Sequence, residues 1–222
     1  LRGLKYGVSK HYVMGLEVVL ANGEIINTGG KNVKDVSGYD LTKLFTGAEG
    51  TLGVITKAVL KLVPAPEAQK SMMAIFKDLD HAGRAVSDMI AAKIIPATLE
   101  IMDNYTIRTV EDYAHIGLPL DAEAVLLIEV DGIPEVVEKE AAMVLEVLKK
   151  NQAVELRIAK TNVERDQLWA ARRAALPALA KLRPTTYVED ATVPRSKVSD
   201  FMREVILISK KYNVTIGTFG HA

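Results

Sequence analysis

The stretch that decides the reading is Phe45-Thr46-Gly47-Ala48-Glu49-Gly50-Thr51-Leu52-Gly53-Val54-Ile55. Three glycines within seven positions, Gly47, Gly50 and Gly53, permit backbone conformations that residues with a Cβ avoid. They also let a ligand approach the main chain closely. Directly after them, residues 52–63 read as one long β-run, broken only by Lys57 and Lys61. A turn that exposes N–H groups and then enters a buried strand can hold a nucleotide by backbone contacts alone. The bland reading is an ordinary glycine-rich turn before a strand. Because the spacing is neither G-x-G-x-x-G nor a Walker A loop, these residues by themselves leave both open.

Working outward, composition narrows the function classes. A chain of 222 residues can hold one large or two small domains, each with its own core. Lys plus Arg and Asp plus Glu both number 28, so no global field favours nucleic acid or an anionic membrane. The absence of cysteine excludes disulfides, Cys-ligated zinc and thiol catalysis together, and fits a reducing compartment. No apolar run approaches the roughly 20 residues of a membrane helix, and no signal peptide opens the chain. No repeat or low-complexity tract is visible.

Upstream of the glycine loop, residues 12–20 alternate as a strand, Ala21-Asn22-Gly23 is a hairpin signal, and residues 24–27 are the returning strand. Asp40 is placed to cap a short helix through Leu44 that delivers the loop. The β-run after it ends at Pro64-Ala65-Pro66, which cannot continue a sheet ladder and marks the domain boundary. This divides the chain into residues 1–66 and 67–222.

Beyond the boundary the period changes. Strands are expected at 71–76, 96–102, 124–130, 154–159, 187–193 and 214–219. Helices are expected from an Asp80 cap to about 93, at 104–114, from Pro134 to 150, at about 163–182, and at 195–212. Pro177 lies inside the fourth of these and predicts a kink. Such alternation suggests parallel βαβ units, although periodicity does not establish strand direction.

Several separate motifs, in one order, resemble a known family: the FAD-linked oxidases of the vanillyl-alcohol oxidase type. Within that group they look most like the flavin subunits of glycolate oxidases and D-lactate dehydrogenases. The motifs are Leu4-Lys5-Tyr6-Gly7-Val8, Gly15-Leu16-Glu17-Val18-Val19-Leu20, and the Gly47 to Gly53 loop. They continue with Leu99-Glu100-Ile101-Met102-Asp103-Asn104, Leu168-Trp169-Ala170-Ala171-Arg172, and Phe219-Gly220-His221-Ala222. The resemblance implies an α+β fold: a partial FAD-binding subdomain, then a ferredoxin-like antiparallel-sheet cap domain with helices on one face. It also implies an internal fragment. The family's pyrophosphate loop lies upstream of the first residue here, and its metal motif continues past Gly-His-Ala into Gly-Asp-Gly-Asn and a second His.

Site residues follow from the same resemblance. Tyr6 and Gly7 match one flavin-facing turn; Glu49, Gly50, Gly53 and Val54 match a loop that lies against the nucleotide end of FAD. Read locally, the Glu49 carboxylate accepts backbone N–H bonds and holds the turn. A pair of arginines on a helix, Arg172-Arg173, is ordinarily a solvated face. The alternative is a buried guanidinium whose planar fork matches a substrate carboxylate. In the family, the arginine of the Trp-x-x-Arg pattern binds the carboxylate of a 2-hydroxy acid, and Arg172 is the match. His221 near a strand end reads as structural on its own; the resemblance makes it the first ligand of a divalent metal, such as zinc, manganese or iron, beside the flavin. His11, His81 and His115 show no metal-ligand spacing. Asp103 is placed to cap the helix after it, and Glu100, alternating with apolar neighbours, can simply face solvent; neither is assigned a catalytic role.

The expectation is an FAD-dependent dehydrogenase or oxidase subunit acting on a D-2-hydroxy acid such as glycolate or D-lactate. Arg172 would hold the substrate carboxylate, metal at His221 would lower the hydroxyl pKa, and hydride would pass to flavin. Electrons would leave to an iron–sulfur or electron-transfer-flavoprotein subunit. A cytoplasmic location, with membrane association through such partners, follows. As an isolated fragment such an enzyme is expected to be inactive. The rival from another class is a non-catalytic cap and interaction module of a flavoenzyme complex. A nicotinamide enzyme is disfavoured, since no G-x-G-x-x-G follows any expected strand.

Overall fold

The computed structural model describes residues 2–222. They form two compact units, one of Tyr6–Ala65 and one of residues 2–5 with Pro66–Ala222.

A four-residue helix, α1 (Gly3–Tyr6), precedes the smaller unit. That unit is a three-stranded antiparallel sheet in the order β2-β1-β3, with β1 (Val13–Val19), β2 (Ile25–Gly29) and β3 (Val54–Leu60). The turn after β1 is closed by Leu20 N–H to Glu24 O at 2.8 Å, with Gly23 at φ 85°. Helix α2 (Leu41–Phe45) starts on Asp40, whose carboxylate accepts the Lys43 N–H at 2.9 Å. It packs over β1 and β2, where Phe45 joins Leu16 and Val18 in a small core. The cover does not reach β3. Val54, Ile55 and Leu60 are therefore exposed on an edge strand, where the sequence suggested a buried one. The strand is also shorter than the 52–63 run.

The larger unit carries a five-stranded sheet in the order β7-β4-β6-β5-β8, every neighbouring pair antiparallel. The strands are β4 (Ala68–Phe76), β5 (Thr98–Asp103), β6 (Ala124–Gly132), β7 (Glu155–Ile158) and β8 (Phe219–His221). Helix α3 (Leu79–Ala91) links β4 to β5, and α5 (Pro134–Lys150) links β6 to β7. Each of these βαβ crossings skips over one strand. The strands linked by α3 or by α5 are thus parallel yet not adjacent, which is the ferredoxin-like arrangement, and adjacent strands, including β5 and β6, come out antiparallel.

Helices cover both faces, not one. Along β4 the side chains of Met72, Ala74 and Phe76 face α3, α5 and α7 (Val198–Tyr212), while Met73 and Ile75 face α4 (Asn104–Ala114) and α6 (Asn162–Lys181). The reason is in the strands themselves. Residues 71–76, 98–103 and 124–131 are buried at every position, so each face of the sheet needs a layer. Gly83 of α3 lets α7 come close, since a Cβ there would fall 1.6 Å from Ser199 Oγ.

Three local expectations are corrected. Helix α3 is capped by Asp78, whose carboxylate accepts the N–H groups of Asp80 (2.7 Å) and His81 (3.3 Å); Asp80 lies in the first turn and pairs with Arg203 instead. Residues 187–193 form no strand: Tyr187 and Val188 stand 86% and 67% exposed, with no neighbouring strand to pair with. The final strand begins at Phe219, not 214. A 3₁₀ turn, Arg195–Lys197, precedes α7, and α6 runs through Pro177 as one helix.

Asp103 caps α4 as the sequence suggested and does more. One oxygen accepts the Thr106 N–H at 2.8 Å, the other the Thr218 N–H at 3.0 Å, tying the end of β5 to the approach of β8. Burial pushes its carboxyl above the ordinary range, against the pull of the Thr106 and Thr218 bonds. A carboxyl raised in the fold contributes stability that is fully present below its unfolded value of 3.8 and is lost as pH rises through the folded pKa. Asp103→Asn removes that dependence. The wild type should therefore gain on the variant in urea melts as pH falls from about 7 toward about 4, and a pH-independent gap would refute this.

Candidate active site

Strand β5 carries a carboxylate where its neighbours are apolar. Leu99 and Ile101 face one core; Glu100 and Met102 face the other, with Glu100 fully buried. The register of β5 with β8 sets Glu100 opposite His221 and Met102 opposite Phe219. Residues directly opposite in an antiparallel pair share a face, so all four side chains lie on one side of the sheet. Helix α6 crosses that side, and Trp169 and Arg172, three residues apart, lie on its inward stripe.

The result is a compact cluster. Arg172 Nε donates to Glu100 Oε2 at 2.7 Å, and the guanidinium carbon lies 4.6 Å from the centre of the Phe219 ring. His221 Nδ1 bonds the other oxygen, Glu100 Oε1. Both carboxylate oxygens are therefore matched, as a buried charge requires. Arg172 is only 16% exposed. Its two terminal nitrogens have no hydrogen-bond partner among the described residues, and neither has His221 Nε2. An unfilled guanidinium edge held in such a frame has the donor geometry that could receive an anion. By contrast, Arg173 is a surface residue whose Nη2 donates to the Asp166 carbonyl at 2.8 Å.

Glu100 is the functional candidate that alternation with apolar neighbours does not reveal: that pattern suggests a solvent-facing side chain, and the residue is fully buried. The signal was in the strand: Thr98-Leu99-Glu100-Ile101-Met102 is apolar on both faces, which marks a central strand, and a Glu there must be paired. Further along the same face the sheet turns polar. Trp169 Nε1 donates to Ser71 Oγ (3.1 Å), and Ser71 Oγ donates to Glu129 (2.7 Å). Arg2 reaches Glu129 at 3.4 Å, and Lys5 meets the fully buried Asp131 at 2.7 Å.

The flavin candidates all lie in the smaller unit. The Tyr6 carbonyl accepts the Tyr12 hydroxyl at 2.6 Å, and Gly7 sits at φ 79°, where a Cβ would fall 2.2 Å from His11 Nδ1. In the loop, Gly47, Glu49 and Gly50 all have positive φ, of 88°, 52° and 77°. The exposed Glu49 carboxylate makes no hydrogen bond with the loop's N–H groups, so the turn is held otherwise: Thr51 N–H and Oγ1 both donate to the Ala48 carbonyl, at 3.0 and 2.6 Å. Gly50 has open space where a Cβ would stand. Gly53 has a packing reason, because a Cβ would come within 2.7 Å of Val18 Cγ1 and 2.8 Å of the Val19 carbonyl. Val54 opens β3 and is exposed.

Among the described residues no three His, Asp or Glu side chains are grouped to hold a metal ion. His221 fits such an ion as a single donor: an imidazole whose Nδ1 is held by a carboxylate and whose Nε2 is open has the form common to metal-bound histidines. No described helix is long and apolar enough to cross a membrane.

The family model "FAD linked oxidases, C-terminal domain" matches residues 65–222. The chain is 57% identical over 222 residues to the glycolate oxidase subunit GlcD of Bacillus subtilis, covering all of this chain and 47% of that protein. It is 34% identical over 223 residues to a D-lactate dehydrogenase of Archaeoglobus fulgidus, covering all of this chain and 48% of that one. The chain thus spans about half the length of these relatives. A solved structure of alkyldihydroxyacetonephosphate synthase superposes over 94% of this chain and 43% of its own, with TM-score 0.71 at 22% identity, a likeness of fold.

Arg172→Met would leave Glu100 buried with His221 as its remaining partner. Breaking a buried pair from one side costs about 3 kcal/mol, so the variant should lose stability of that order in urea denaturation. Glu49→Ala, at an exposed loop position, should leave the same midpoint unchanged; equal small effects from both would show that Glu100 is not carrying a buried charge.

Proposed function

This chain belongs to the family of FAD-linked oxidases, C-terminal domain, and from that premise we propose that it is part of a flavoprotein subunit that oxidises a small 2-hydroxy acid, D-lactate or glycolate. Residues 1–66 are read as the C-terminal part of the FAD-binding domain and residues 67–222 as the substrate cap. The observation that carries the reading is the Arg172 guanidinium, bonded through Nε, stacked on Phe219, and open at both terminal nitrogens.

Such an edge binds a carboxylate through two parallel N–H···O bonds and fixes the adjacent C2 in one orientation. That geometry supports the substrate class we assign from the relatives, an acid whose reacting carbon is next to its carboxylate. The neighbouring imidazole suits the hydroxyl on that carbon. His221 Nε2, with its lone pair outward, is the atom that a divalent metal would take, and such an ion supplies Lewis acidity toward the hydroxyl. This chain contributes one ligand to it; the remaining ligands are expected from residues beyond this chain. FAD, when bound, supplies the hydride acceptor. Tyr6, Gly7, Glu49, Gly50, Gly53 and Val54 are the residues we assign to holding it. Backbone with positive φ at 47, 49 and 50, and open space over Gly50, support a close main-chain approach there. An iron–sulfur or electron-transfer-flavoprotein subunit is the proposed electron acceptor.

The test uses the full-length subunit, mixed anaerobically with glycolate or D-lactate while the oxidised-flavin absorbance is followed. The wild type should bleach with one of the two. Arg172→Lys, which cannot present a planar fork, should raise KM by about 10- to 100-fold, the loss of one charge-assisted bond pair. A flavin that neither acid reduces, or a KM indifferent to Arg172, would overturn the reading in favour of a non-catalytic cap module.

A further inference from the structure

We propose that Glu100 is a positioning residue: one buried carboxylate that sets both the anion-binding edge of Arg172 and the tautomer and rotation of the His221 ring. The inference rests on the reading of Arg172 and His221 given above and assigns a role to a residue that reading does not use.

The geometry separates this from a plain ion pair. An arginine that only neutralises a buried carboxylate does so best through two parallel bonds to both oxygens. Here it gives Nε alone to Oε2, and the second oxygen is kept for His221. The consequence for Arg172 is that its outer edge stays unspent while Phe219 holds the plane from below. The consequence for His221 is chemical. An ionised carboxylate only accepts, so Nδ1 must carry the hydrogen and, in the neutral ring, the lone pair is left on Nε2. The ring is 61% exposed and would otherwise rotate freely; this bond is its one anchor among the described residues.

The frame around Glu100 is rigid. Strand β8 is fixed to β5 on both sides of the pair, by Ala222 N–H to Leu99 O and Asp103 N–H to Thr218 O, each at 3.0 Å. A fully buried residue on a paired strand thus places two partners on two other elements, α6 and β8, with one group. Moving that carboxylate would disturb both.

Glu100→Gln tests this at constant volume. The amide oxygen can still accept from Arg172 Nε. The amide NH₂ then faces His221 Nδ1 and demands a lone pair there, which moves the ring hydrogen to Nε2. In ¹⁵N-histidine-labelled full-length subunit stripped of divalent metal with a chelator, so that Nε2 is free to take a hydrogen, long-range ¹H–¹⁵N spectra report the tautomer, with the His221 signals identified by their loss in His221→Gln. The wild type should show the Nδ1–H form, Glu100→Gln the Nε2–H form, and Glu100→Asp, which keeps the charge, the Nδ1–H form again. KM for the reducing acid should rise about 10-fold in Glu100→Gln, as for other groups that orient a ligand from behind.

A wild-type His221 protonated on Nε2 overturns the proposal without any variant. So does a folded Glu100→Gln that keeps the wild-type tautomer, and an unchanged KM in it removes the Arg172 half. If Glu100→Gln does not fold, the wild-type spectrum and Glu100→Asp still decide. The tautomer is independent of substrate, so a failure of the 2-hydroxy acid reading leaves its outcome intact and is seen separately in Arg172→Lys.

Discussion

A carboxylate without exposed surface must be given charge and hydrogen bonds by the protein, or it must give up its own charge. Glu100 lies under that constraint in the middle of a sheet buried on both faces. Its two oxygens can be satisfied only by elements brought to the same face. One is α6, which supplies Arg172 from a helix whose other inward residues are Trp169, Ala171, Ala175 and Ala178. The other is β8, which supplies His221 through its register with β5. The packing of the larger unit and the chemistry of its cluster are thus one requirement met twice.

Much of the fold was legible because its signals were local. Pro134 at the first turn of α5, Asp103 as a cap, Asp40 before α2 and the hairpin at Gly23 are decided within a few residues of themselves. The pattern of strand and helix also pointed correctly to βαβ crossings. What it could not convey is that each crossing passes over a strand of the other crossing, β6 under the first and β4 under the second, which makes adjacent strands antiparallel. That information came from the family resemblance. The same resemblance suggested helices on one face, whereas the continuous apolar runs of β4 and β6 require cover on both.

The misread segments share one physical cause. Residues 187–193 have the composition of a strand, but a strand exists only when another offers its edge, and here none does. Glu100 failed in the opposite direction. Alternation with apolar residues suggested an exposed side, yet the partners that make its burial tolerable lie 72 and 121 positions away. Arg172 and His221 were found as members of known motifs; the carboxylate joining them stands in a motif too, and only the three-dimensional register reveals what it faces.

The other buried acids on this face sharpen the distinction between a carboxylate that stabilises and one that organises a site. Glu129 and Asp131 are also nearly free of solvent, but their cationic partners lie nearer the surface: Arg2, 46% exposed, reaches Glu129 and Gln69, and Lys5, 29% exposed, meets both the carboxylate and the backbone carbonyl of Asp131, with Ser71 donating to Glu129. That arrangement compensates charge and fastens the chain's first residues to the sheet. Around Glu100 the partners are held without being used up. Arg172 keeps its two terminal nitrogens, His221 keeps one nitrogen, and both are directed by a group that bonds one of them through each of its oxygens. Where burial is compensated by groups that still have bonding capacity to offer, the residual capacity is what a substrate meets. It is that surplus on a guanidinium nearly closed to solvent, where Arg2 is 46% exposed, that distinguishes this cluster from the rest of the sheet.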